Sequence, residues 1–119
     1  MKLICNACHI EISKQISELE DLTLLNSIDG QNYVPEGFYI ISDGTYLERL
    51  KGSIIINTND LLNSNYHSDI SRLNGCCGCD GSGGMNKVCL NNHELGTEHS
   101  DCWMAHMIAL NPAKVKFVQ

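Results

Sequence analysis

Residues 74–84 read Asn74-Gly75-Cys76-Cys77-Gly78-Cys79-Asp80-Gly81-Ser82-Gly83-Gly84. Three of the chain's seven cysteines fall within four positions here, and the glycines that follow let the backbone turn back over a bound ion. Far upstream, Cys5-Asn6-Ala7-Cys8 supplies a second close pair. The opening MKLICNACHIEIS has one Lys and no useful apolar run, so it does not read as a secretory leader. No window approaches a membrane span. A cytoplasmic, reducing setting is the expectation, and seven cysteines there read as ligands or reactive groups before disulfides.

Working outward, 119 residues suit one domain, residues 1–119, with a single modest core. Aromatic residues are sparse at 6%. A metal can then supply part of the folding free energy, on the order of 10 kcal/mol in small modules. The net charge is −6, and the eight basic residues are scattered from Lys2 to Lys116 without forming a stripe. That balance argues against nucleic-acid binding. It favours a basic protein partner or, as acidic surfaces more commonly do, simply keeps the chain soluble.

Zinc takes four thiolate or imidazole ligands at tetrahedral corners. A C-x-x-C turn aims two thiolates inward, and Cys5/Cys8 and Cys76/Cys79 both have that spacing. Two such pairs with a long insertion follow the zinc-ribbon plan. Adjacent side chains point apart in extended backbone, so Cys76 and Cys77 are not expected on one ion. A competing assignment uses Cys77 with Cys89 or Cys102. Seven thiols exceed one site by three, which leaves room for a second zinc drawing on His93, His99 and His106. Otherwise the remaining thiols, Cys89 among them, are small core hydrophobes. The candidate metal residues are therefore Cys5, Cys8, Cys76, Cys77, Cys79, Cys89 and Cys102.

Cys76 to Gly83 also resembles the C-x-x-C-x-G-x-G element in the cysteine-rich region of DnaJ-type co-chaperones. The resemblance spans eight residues and occurs once; the Cys5/Cys8 segment lacks the glycines, and no His-Pro-Asp sequence is present. It implies a ligand role for Cys76 and Cys79 and nothing about chaperone activity.

Ile12, Ile16, Leu19, Leu22 and Leu25 recur at three- and four-residue steps, which predicts a helix over 13–25. Phe38–Ile41, Tyr46–Leu50 and Ser53–Asn57 read as antiparallel strands, the first two joined through Asp43-Gly44. Lys87–Leu90 and His93–Thr97 form a hairpin about Asn91-Asn92. A strand follows over 102–110, then an edge strand over 114–118. The class expected is α+β: mostly antiparallel β, one N-terminal helix and a zinc-ribbon-like knuckle.

No catalytic constellation emerges. His93-Glu94 is followed by Thr97 where a metalloprotease helix needs its second histidine. The expected function is a small zinc-binding protein with a structural four-cysteine site. It would act as a protein-binding module of immunity, antitoxin or adaptor type. The rival reading is a thiol redox enzyme or sensor using Cys5 and Cys8.

Overall fold

The computed structural model describes residues Met1–Gln119. It contains nine strands and four single turns of 3-10 helix, and no α-helix. The N-terminal helix expected over 13–25 is absent, so the α+β assignment is corrected to a β fold. Ile12, Ile16 and Leu19 are buried as predicted, but on an extended path. Their amides donate to Leu3, Met1 and Tyr39 carbonyls instead of closing i to i−4 bonds. β-branched and serine residues gain little from a helix. Here distant partners satisfy the backbone instead.

The main sheet runs in the order β2 (Ser17–Glu18), β3 (Phe38–Ile41), β4 (Ile54–Ile56), β8 (Met107–Leu110), β7 (Glu94–His99), β6 (Lys87–Cys89) and β5 (Ser64–Tyr66). All pairs are antiparallel except β2 with β3. Separately, β1 (Lys2–Cys5) pairs with β9 (Val115–Val118), Leu3 opposite Phe117. The segment 46–50 expected as a strand instead ends in a 3-10 turn over Glu48–Leu50, and β3 pairs directly with β4.

Side chains alternate across a strand, and both faces of this sheet are covered. Ile54, Ile56, Ile108 and Leu110 face one core with Leu3, Cys5, Ile12, Ile16, Cys89 and Leu95. Ile55, Met107 and Ala109 face another with Leu19, Val34, Ile40 and Leu50. A central strand buried on both faces explains the unbroken isoleucine run of β4. The first core brings the end of β1 against the end of β6, and the cysteines follow from that.

Candidate metal centre

Two turns of similar build meet at one edge of the first core. After β1 the chain reverses through Asn6–His9: the His9 amide donates to the Cys5 carbonyl at 2.8 Å, and the Cys5 amide to Ile10 at 2.9 Å. After β6 it reverses through Leu90–Asn92, the Asn92 amide donating to the Cys89 carbonyl at 2.9 Å and the Cys89 amide to His93 at 2.9 Å. His9 and Asn92 both take left-handed backbone, at φ 65°. Each turn delivers two donors: Cys5 and Cys8 from the first, Cys89 and His93 from the second.

These four ligand atoms lie within 4.8 Å of one another and can hold a metal ion. Cys8 Sγ is 3.8 Å from Cys89 Sγ, and His93 Nδ1 is 3.7 Å from Cys5 Sγ and 3.4 Å from Cys89 Sγ. Bonds of about 2.3 Å to sulfur and about 2.0 Å to nitrogen, set tetrahedrally, separate two sulfurs by about 3.8 Å and sulfur from nitrogen by about 3.6 Å. The observed spacings match both edges. The Asn91 amide donates to Cys89 Sγ at 3.4 Å, the kind of N–H to sulfur contact that steadies a thiolate.

The thiols are not equivalent. Burial, the largest influence, pushes Cys5 up. Cys8 is lowered to about 6, chiefly by the Asn91 side chain and then by the Ile10 amide. Beside the centre lies a cleft of about 540 Å³ bounded by Asn6, His67, His93, Glu94 and Lys114. His67 Nε2 meets Glu94 at 3.2 Å while its Nδ1 accepts from the Asp69 amide, and Arg72 also grips Glu94 at 3.0 Å.

The 74–84 loop goes elsewhere. Cys76 and Cys79 do not join Cys5 and Cys8; the loop docks instead on residues 100–102. Ser100 and Asp101 amides donate to the Cys79 carbonyl, and the Cys79 amide to Ser100 Oγ. Gly78 lies so close to the Ser100 carbonyl that no Cβ fits there. Cys79 is buried, with its thiol pushed up first by that burial. Cys76 and Cys77 are exposed, and Cys77 meets Cys102 there.

Of the three histidines named for a second ion, His93 belongs to the first cluster. His106 Nε2 pairs with the Asp101 carbonyl at 3.0 Å. His99 is fully buried without a hydrogen-bond partner on either ring nitrogen. Cys89, read as core or as a partner of Cys77, is a core residue that also belongs to the cluster able to hold an ion. The missed signal was Cys89-x-x-x-His93 straddling the Asn91-Asn92 turn, a ligand spacing in its own right.

No helix is long and apolar enough to cross a membrane. A scan against protein-family models finds no match, and neither the curated proteins nor the solved structures yield one.

Proposed function

We propose that this is a non-catalytic zinc-binding protein in which Cys5, Cys8, Cys89 and His93 hold a structural ion and a rigidified surface binds another protein. The observation that carries the reading is the Cys8–Cys89 separation of 3.8 Å, a tetrahedral zinc edge between segments far apart in sequence. Four protein ligands leave no open position for substrate, which supports a structural role over a hydrolytic one. Zinc is the metal best suited to three thiolates and an imidazole in this geometry.

The partner surface is the outer side of β3. Strand β2 spans only two residues, so the edge beyond Tyr39 is uncovered. Leu22 and Ile41 are 58% and 49% exposed there, beside a groove bounded by Leu25, Tyr33 and Tyr46. Glu18, Glu20 and Asp43 rim these hollows. An apolar edge with an acidic rim suits an extended, basic-flanked segment added as a strand. An immunity, antitoxin or adaptor role against a basic protein follows from that charge.

Metal analysis of purified protein tests the centre: one zinc per chain is expected, with Cys5, Cys8 and Cys89 resisting alkylation until chelator is added. Metal-free protein with a fast-reacting Cys8 would favour the thiol-enzyme reading instead. For the partner half, Leu22→Asp combined with Ile41→Asp should abolish association with a co-purifying basic protein while zinc content stays unchanged. Persistent association would reject this surface.

A further inference from the structure

Cys77 and Cys102 stand apart from the candidate metal centre and differ from it in geometry. Their sulfurs are 2.6 Å apart, against 3.8 Å for Cys8 and Cys89. Two thiolates on one zinc cannot approach that closely, since bonds of about 2.3 Å at tetrahedral angles hold them about 3.8 Å apart. Both residues are exposed, so neither is a core hydrophobe.

Asp101 is completely buried, with a carboxylate oxygen within 4.8 Å of both sulfurs, a set of three groups that could hold a metal ion. Its Oδ1 accepts from the Cys77 and Cys102 amides at 3.0 and 2.8 Å; its Oδ2 accepts from the Cys76 amide and Trp103 Nε1 at 3.1 and 2.8 Å. A carboxylate offers about four lone-pair positions, and all four are taken. With those positions filled, what the cluster offers outward is sulfur: Cys77 and Cys102 in direct contact, with the Cys76 thiol beside them. What Asp101 does instead is clamp the two loops so that the thiols at their tips face each other. Sequence-distant thiols held in contact at the surface are placed to be oxidised together.

We infer that Cys77 and Cys102 form a reversible disulfide, a surface redox pair independent of the metal reading. The oxidant class is a hydroperoxide. One thiolate attacks a peroxide oxygen, the O–O bond breaks, and the sulfur becomes a sulfenic acid as water leaves. The second sulfur then attacks the sulfenic sulfur; the S–S bond forms, the S–O bond breaks, and the oxygen departs as a second water. Two thiols supply two electrons and two protons, and one hydrogen peroxide becomes two waters. A dithiol reductant reverses the step by exchange. The bond staples the 74–79 loop to residues 100–103, next to Trp103, which is 61% exposed.

The experiment treats the full chain, as purified, with equimolar hydrogen peroxide, quenches by alkylation, and reads intact mass and tryptic peptides. A mass loss of about 2 Da is expected, reversed by dithiothreitol. Peptides 73–87 and 88–114 should be joined, with fragmentation placing the link at Cys77 and Cys102. The link should persist in Cys76→Ser and vanish in Cys77→Ser and in Cys102→Ser. A link through Cys76 or Cys79, over-oxidation without a link, or a metal ion shielding Cys77 and Cys102 in the untreated protein would each overturn the assignment. The wild-type map decides even if a variant fails to fold.

Discussion

Cys8 and Cys89 place their sulfurs 3.8 Å apart across 81 positions of sequence. Nothing in the main sheet joins their turns directly; β1 belongs to the two-stranded sheet with β9, and β6 to the seven-stranded one. An ion held at this point would tie the two sheets together at one edge of the core they share.

Chelation should therefore loosen the packing of β1 against β6. Losing even ~3 kcal/mol would lower the melting midpoint by on the order of 10 °C in a chain this size. His93→Cys should retain the ion, because sulfur serves at the same corner. His93→Ala should weaken binding by ~100-fold or more. Competition with a chromogenic chelator, alongside calorimetry, checks both. Equal affinity in the two variants would remove His93 from the site.

A second test concerns Ser13, fully buried where the predicted helix would have run. Its Oγ accepts from the Leu3 amide at 2.8 Å and donates to the Lys14 carbonyl at 2.9 Å. Ser13→Ala strands a buried N–H and should cost about 1–3 kcal/mol in urea unfolding. A helical Ser13 facing solvent would tolerate the change within a few tenths of a kcal/mol.

The pH dependence has a legible sign at His99. Burial first, and Arg49 second, lower it to about 4 from its ordinary value of 6.5. The unfolded chain thus binds the proton more tightly than the native one. Stability from this group is present above about pH 6.5 and is lost as pH falls toward 4, on the order of 3 kcal/mol across that window. His99→Leu should flatten the slope between pH 7 and 4. Removing the two unpartnered nitrogens should leave stability at pH 7 equal or improved. Gly81, in left-handed backbone at φ 82°, packs against this ring without room for a Cβ, so Gly81→Ala should be destabilising.

Asp101 behaves oppositely. Burial works against its charge, but donors from Cys77, Cys76, Cys102 and Trp103 prevail and hold it at about 2. Its contribution is present above the unfolded carboxyl value, near 3.9, and is lost as pH falls through 2. Trp103 fluorescence should report the junction opening in that acid window. In Asp101→Asn the signal should already be shifted at neutral pH, since an amide group faces donors that need acceptors.

The aromatic and β-branched run at 38–41 and the isoleucines of 54–56 were legible because a strand buried on one or both faces has few other ways to hide such side chains. The hairpin about Asn91-Asn92 was legible for the same local reason. The stretch 12–25 misled because its apolar steps of three and four match a helix face. On the extended path, Ile12, Ile16 and Leu19 meet different partners, Leu3, Met1 and Tyr39, which no local pattern reveals. The N-terminal pair of candidate ligands, Cys5 and Cys8, was visible from spacing, and the structure places them in a cluster that could hold a metal ion. Their partners were not, because the denser cysteine run at 76–79 outweighed a single Cys-x-x-x-His. Only the pairing of β6 with β7 and the packing of β1 on it place Cys89 and His93 within reach.

The pairing of Leu3 with Phe117 carries a further consequence for synthesis. Residues 2–5 leave the ribosome long before 115–118 exist, so β1 must wait for β9. During that interval Leu3 and Ile4 can meet Ile12, Ser13 and Glu11 but lack their β9 partners, and the nascent chain depends on slow, long-range closure to finish. Growth temperature and translation speed should therefore govern soluble yield more strongly than they would for a chain that zips up from local hairpins alone.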